Sequence, residues 1–333
     1  MELLKLSTQE RLGIFERIRE RTGLSEVIIE KDWWVTTVLR ALFALPYAEN
    51  LSFKGGTSLS KCWNTIQRFS EDVDIAVNRE YLGFHDPLSK TQIKDKLRRA
   101  SCSFVRDKLQ FDLAKQLEID GINPSLFSVN VNITSVTTTD PELIEIEYQS
   151  LFKDITYIKP KVILEVSGRS MREPLMSVEI QSMVDEVFLD TPFAEKPFNV
   201  QSVVPQRTFI EKICLLHEEF AKPQDEVRSK RMSRHLYDLV QMMGTPIADE
   251  ALADKDLYDS IVEHRRTFVG LKDFDYDTLA PQHINIIPPP SVIGLWESDY
   301  ETMQETMIYG DSLPFDKLMD KIRELNERVN NNL

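Results

Sequence analysis

Lys54-Gly55-Gly56-Thr57-Ser58 and, about one helix later, Ser70-Glu71-Asp72-Val73-Asp74-Ile75 are the stretches on which the fold turns. Leu51-Ser52-Phe53 just before them reads as a short strand, which the paired glycines break. Helical spacing then returns from Thr57 to Ile66 through Leu59, Cys62, Trp63 and Ile66, and Val73 to Val77 reads as a second strand. Glycines just ahead of a helix let the backbone approach a ligand closely. The helix start adds free N–H groups and the positive end of its dipole, so the loop suits the phosphates of a nucleoside triphosphate.

Asp72 and Asp74 stand two apart on a strand, so both carboxylates point to one side. Two like charges so placed call for a cation. Carboxylates suit Mg²⁺, with Mn²⁺ as the alternative ion, held together with substrate phosphates. A third carboxylate would complete a two-metal site. Glu165 is the candidate: in Lys161 to Ser167, Val162, Leu164 and Val166 share one face, leaving Glu165 on the other beside Ile163 and Ser167. The alternative is an edge-strand carboxylate. D-x-D alone is common, and Gly-Gly before a helix usually marks only a tight turn. Their order and spacing together make the signal specific.

Outward from this centre, the first fifty residues read as helical: Thr8-Gln9-Glu10 opens one helix, and an amphipathic run extends from Val27 to Phe43 as a buttress. Downstream, a long basic helix is expected from about Thr91 to Leu117, with strands at Phe127 to Ile133, Leu143 to Tyr148 and Lys161 to Ser167. From Pro205 the period turns helical, with stripes Phe209, Ile213, Leu216, Phe220 and Leu236, Leu239, Val240, Met243. Pro288-Pro289-Pro290 separates the last helices, including Lys317 to Val329. The fold class is α/β (α+β) with a mixed central sheet over 1–204, followed by a helical domain over 205–333.

With 333 residues, 42% hydrophobic and 28% charged, the chain can bury two ordinary cores without disulfides or structural metal. Three scattered cysteines form no zinc spacing and fit a reducing cytoplasm. The N-terminus lacks a signal sequence, and no stretch approaches the ~18 apolar residues of a membrane span. A net charge of −14 disfavours general nucleic-acid binding, leaving only local patches: Lys90 to Lys108, and Arg228, Lys230, Arg231 and Arg234. Each is either an RNA contact or a solvated helix face. The five histidines form no metal-spaced pair, and no serine or cysteine triad is visible.

Gly55-Gly56-Thr57-Ser58-Leu59-Ser60-Lys61 followed by Arg68-Phe69-Ser70-Glu71-Asp72-Val73-Asp74 resembles the signature of the AbiEii/AbiGii nucleotidyltransferase toxins. Glu30 to Thr36, Lys159 to Glu165, Arg207 to Lys212 and Arg234 to Leu239 resemble further elements of that family. The resemblance implies a polymerase-β-like nucleotidyltransferase fold with catalytic Asp72, Asp74, Lys212 and Asp238, metal ligands Asp72, Asp74 and Glu165, and the helical C-terminal domain contributing to the active site. Lys54, Gly55, Gly56, Thr57, Ser58, Ser70 and Arg207 are then the nucleotide-binding set.

Lys212 lies off its apolar stripe, facing either an anionic site or solvent. Asp238 is catalytic or simply pairs with Arg234 four residues earlier. His235 either touches substrate or is a satisfied helix histidine. The reaction implied is transfer of an NMP from an NTP to an RNA, the tRNA 3′ end in relatives, blocking translation and phage growth, with a separately encoded antitoxin as partner. Two alternatives share the motifs: transfer to a small cationic molecule, which a charge of −14 suits, and an NTP-binding module without turnover.

Overall fold

Seven strands form one sheet in the order β3-β4-β5-β2-β1-β7-β6. In this computed structural model the described residues are 1–70, 72–85, 87–131, 141–152 and 159–332. The strands are β1 Leu51–Lys54, β2 Asp72–Val77, β3 Phe127–Val131, β4 Glu142–Tyr148, β5 Lys161–Ser167, β6 Leu175–Ile180 and β7 Phe198–Val203. β2 pairs parallel with β5 and antiparallel with β1, while β4 joins β5 to β3 through antiparallel ladders. A mixed sheet results, as the strand patterns predict. Asn132 and Ile133 of the expected third strand, and Glu71 of the motif, lie outside the described residues.

The chain divides into two compact units, Met1–Cys62 with Ser70–Ser202, and Trp63–Phe69 with Val203–Leu333. In the first, α1 Thr8–Thr22 is opened by a Ser7–Glu10 capping box, and α2 Glu26–Phe43 follows. α2 is more than a buttress: it is buried on nearly all sides. Trp34 stacks on Tyr148 of β4 at 4.8 Å, and three charged residues in sequence, Glu30, Lys31 and Asp32, are interior. Distant groups satisfy the two carboxylates. Glu30 accepts from the Leu151 N–H at 2.9 Å, while Asp32 accepts from the Met183 N–H at 2.8 Å and pairs with Lys61.

Three expectations change. α3, Gly55–Lys61, stops before Ile66 because Asn64 takes a left-handed turn, φ 48°, and the Trp63 indole donates to the Val203 carbonyl at 3.2 Å. The apolar spacing through Ile66 therefore serves burial without helix. The basic run is continuous but not uniform: α4 Arg98–Phe104 and α5 Gln110–Ile119 are joined to wider π-type turns, Gln92–Leu97 and Val105–Leu109. β6, β7 and the short α6 Met183–Val187 are additional. The second unit is helical as expected: α7 Pro205–Phe220 with proline in its first turn, α8 Ser233–Met243, α9 Pro246–Ala253, α10 Lys255–His264, α11 Ile293–Thr306 and α12 Phe315–Asn332. No helix among the described residues is long and apolar enough to cross a membrane.

Lys61→Met leaves the Asp32 carboxylate buried without its cation. We expect it to lower stability by about 3 kcal/mol in urea unfolding, where an exposed ion pair would contribute under ~1 kcal/mol.

Candidate active site

Register decides where the carboxylates go. Asp74 is opposite Glu165 across the parallel β2–β5 pair and opposite Lys54 across the antiparallel β1–β2 pair. Directly paired residues project to the same face. Val73, Ile75, Val162, Leu164 and Val166 are buried on the other face. Asp72, Asp74, Glu165 and Lys54 thus share one half-exposed surface of the sheet in the first unit.

Gly55 makes that surface possible. Its φ is +79°, and a Cβ there would lie 1.9 Å from Asp74 Oδ2 and 2.7 Å from its Cγ. Only glycine supplies both the left-handed turn and the room for the carboxylate. The neighbouring hydroxyls are committed inward: Thr57 donates to the Asp72 carbonyl, tying α3 to β2, and Ser58 donates to the Gly55 carbonyl at 2.9 Å. Both residues are buried. A phosphate at this turn would therefore meet the backbone N–H groups of the first helical turn rather than these hydroxyl protons. Lys54 Nζ donates to Ser170 Oγ at 3.3 Å, and Ser70 is half-buried. Among the described residues no three carboxylate, imidazole or thiol side chains converge into a ready metal cage. The shared face offers carboxylates side by side, and any ion there would take its remaining ligands from water or substrate.

The second unit holds a different charge cluster. Asp238 is wholly buried, and Arg68 grips it at two points, Nε to Oδ1 at 2.6 Å and Nη2 to Oδ2 at 2.7 Å. Lys212 Nζ reaches Asp238 Oδ2 at 2.9 Å and donates to His235 Nδ1 at 3.3 Å. The segment carrying Arg68 is pinned within the same unit: Phe69 N–H donates to the Met307 carbonyl at 2.7 Å, and the Gln67 N–H to the Tyr237 hydroxyl at 3.3 Å. Sequence reading missed Arg68 because its partner lies 170 residues away. The available signal was an arginine beside the D-x-D motif. Lys212 is a buried lysine rather than a solvated one, and Asp238 serves Arg68 and Lys212.

Burial alone would raise the Asp238 pKa, but Arg68 and Lys212 hold the carboxyl below its usual range. Burial lowers the Lys212 pKa, only partly countered by Asp238. Burial, with Lys212 and Arg234 nearby, pushes His235 well below the ordinary 6.5. A neutral His235 accepts at Nδ1, so its proton is on Nε2. Lys212 has three N–H donors, and two have partners. The third has none among the described residues and can meet an anionic oxygen. Arg207, buried in α7, donates to Glu211 Oε1 through Nη2 at 2.7 Å.

The two basic patches are also placed. Arg106 of the long helix binds Glu142, which is opposite Val166, and a Cβ at Gly168 would meet Leu97 and Ser101. The helix therefore lies on the sheet face opposite Asp72, Asp74 and Glu165. Lys90, Lys94, Lys96 and Arg99 are exposed there without ion pairs among the described residues. In the other patch Arg228 is bound to Glu219 at 2.6 Å, and Lys230 and Arg231 are exposed.

A family model described as nucleotidyl transferase AbiEii toxin, type IV toxin–antitoxin system, matches residues 37–321. A comparison with curated protein sequences found no match. Two Helicobacter pylori crystal structures are similar over most of the chain. JHP933 is 16% identical, with 85% of this chain and 97% of that chain covered and a TM-score of 0.37. A protein described as a candidate nucleotidyltransferase is 15% identical, with 92% and 94% covered and a TM-score of 0.40.

Asp238→Asn strands two buried cations, and we expect a loss of about 3–5 kcal/mol in denaturant unfolding. A loss below ~1 kcal/mol would show the cluster to be open to water. For His235 the sign follows from its lowered pKa: the unfolded chain takes up the proton near 6.5 while the folded chain resists it, so stability falls as pH drops below that value. His235→Asn, which keeps an acceptor near Nδ1 but does not titrate, should lose less stability than the parent between about pH 7 and pH 5. Equal losses would count against a buried neutral imidazole.

Proposed function

The chain belongs to the AbiEii nucleotidyl transferase toxin family, and from that premise we propose that it transfers an NMP from an NTP to the 3′ end of a tRNA in a Mg²⁺-dependent reaction. The observation that carries the reading is the register placing Asp74 between Glu165 and Lys54, with Gly55 leaving space for its carboxylate. Asp72 and Asp74 would hold the metal, with the Glu165 carboxylate beside them on β5 and the remaining ligands from water or substrate. Bound there, it would offset phosphate charge and lower the pKa of the attacking hydroxyl.

The rest is done by the chain's own groups. The N–H groups at the start of α3 and Lys54 orient the triphosphate. Within the second unit, the Lys212 ammonium is aimed by Asp238 Oδ2 and His235 Nδ1 and keeps a third N–H for an anionic oxygen. Asp238, gripped by Arg68, acts through Lys212 as a positioning residue. The acceptor hydroxyl gives up its proton to water and attacks the α-phosphorus, the bond from that phosphorus to the α,β-bridging oxygen breaks, and pyrophosphate leaves. Most of the acceleration comes from position and fixed charge. Capping the tRNA 3′ end would stop aminoacylation, a toxic outcome for an antitoxin to restrain and one that would arrest phage growth.

The test is transfer of each α-labelled NTP to bulk bacterial tRNA with Mg²⁺, beside Asp74→Ala and Gly55→Ala. We expect labelled tRNA with the parent and at least a ~10³-fold loss with either variant, since one removes the Asp74 carboxylate and the other displaces it. Label on a small cationic acceptor, with none on RNA, would overturn the tRNA assignment and leave nucleotidyl transfer standing. NTP binding without turnover on any acceptor would overturn the catalytic reading.

A further inference from the structure

Past Ala76 and Ser52, which are buried on the face that carries Asp74, a cavity of about 250 Å³ opens beyond the end of β2, lined by Val77, Asn78, Arg79, Ser170, Arg172 and the rim carboxylates Glu80 and Glu173. Val77 and Asn78 lie about 10–13 Å beyond Asp74 at strand rise. Its wall is tied to the carboxylate row: Ser170 Oγ accepts from Lys54 Nζ at 3.3 Å, and Lys54 is opposite Asp74. The cavity therefore lies on the carboxylate side of the sheet, within the first unit, whereas the basic long helix covers the opposite side.

Arg172 is built into this wall. Its Nε donates to Ser52 Oγ at 3.0 Å, and Ser52, wholly buried in β1, faces the same side as Lys54. Its Nη2 donates to the Glu49 carbonyl at 2.8 Å. The side chain is 13% exposed, and among the described residues Nη1 has no hydrogen-bond partner, Glu173 Oε1 lying 3.9 Å away. Glu173 itself is 67% exposed. A guanidinium fixed along one edge and open along the other is preorganised for a planar, two-point contact with phosphate oxygens. Arg79 adds a second guanidinium, and Ser170 and Asn78 add neutral donors. The rim carboxylates formally balance the charge, but Glu80 and Glu173 are exposed and screened by water, while Arg172 is not.

We propose that this cavity is the acceptor-strand subsite: it takes a phosphodiester, with its ribose, of the single-stranded RNA end whose terminal hydroxyl is presented near Asp74. The inference rests on the reading that the acceptor is RNA. A phosphate contact of this kind fixes the strand without reading its sequence. It supplies the local positive site that a chain of net charge −14 otherwise denies a polyanion.

Two readouts test it with the full chain: the KM values for bulk tRNA and for NTP, and the salt dependence of tRNA binding. Arg172→Ala should raise the KM for tRNA about tenfold with the KM for NTP unchanged, the loss of one charged hydrogen-bonding contact. It should also reduce the log–log salt slope by about 0.7, one phosphate contact to a single strand. Glu173→Gln removes a rim charge without touching the Ser52 and Glu49 contacts, and should lower the KM for tRNA. It decides the matter alone if Arg172→Ala does not fold. An unchanged KM for tRNA and an unchanged slope overturn the proposal, as does a rise in the KM for NTP instead, which would give the cavity to the incoming nucleotide. A parent that labels no RNA sinks the proposed acceptor. The salt slope of tRNA binding then still decides the subsite, a smaller slope in Arg172→Ala supporting it and an equal slope refuting it.

Discussion

The Asp74 carboxylate occupies the space that a side chain at residue 55 would need, and the chemistry of the first unit follows from that close approach. Gly55 turns the chain out of β1 with a left-handed φ, starts α3 and leaves the carboxylate against the turn. β2 is then held between β1 and β5 in a register that sets Lys54, Asp74 and Glu165 in one row across the sheet. A one-residue slip of β2 would send Asp72 and Asp74 into the apolar face and bring Val73 and Ile75 out. The apolar residues on the reverse therefore secure the position of the charged ones.

The second unit spends stability where the first spends conformational freedom. Arg68, Asp238 and Lys212 are all buried, two cations against one carboxylate. Such clusters are poor stabilisers, since apolar residues of similar volume often serve a core as well or better. Its value lies in what it does to Lys212: the ammonium is desolvated, aimed by two acceptors and left with one open donor. Asp238 is engaged by Arg68 through both oxygens and held below the usual carboxylate range, so it is a poor proton acceptor. Positioning is the role its contacts permit.

Much of this was legible in the sequence where the signal is local. Alternation marks β2, β4 and β5, the period of 3.6 marks α7 and α8, and the Ser7–Glu10 capping box matches the expected opening of α1. Strand parity alone put Asp72, Asp74 and Glu165 on polar faces, but only the register shows Glu165 to be opposite Asp74. What stayed hidden depends on distant partners. Arg68 finds Asp238, Asp32 finds Lys61 and the Met183 N–H, and Glu30 finds Leu151, none of which spacing along the chain reveals. α3 is shorter than its apolar period because Asn64 turns left-handed, a backbone choice that hydrophobic spacing does not record. Half of β6 is exposed and only Ile180 is buried, so it lacks the apolar rhythm of the central strands.

Charge along the sequence also misleads about where a polyanion can be held. The densest basic run, Lys90 to Lys108, lies behind the sheet, and its Arg106 and Lys108 are engaged by Glu142 and Asp112. Around Arg172 the local sequence is unremarkable, with Glu173 as its neighbour. Yet Ser52 and the Glu49 carbonyl, more than a hundred residues earlier, fix the guanidinium beside the carboxylate row. A flexible exposed lysine must lose rotamer entropy and water to hold a phosphate, and a guanidinium already fixed by the fold has lost most of both. For a chain of net charge −14, the capacity to hold a polyanion would therefore depend less on how many cations it carries than on which ones the fold has already immobilised on the face that carries Asp74.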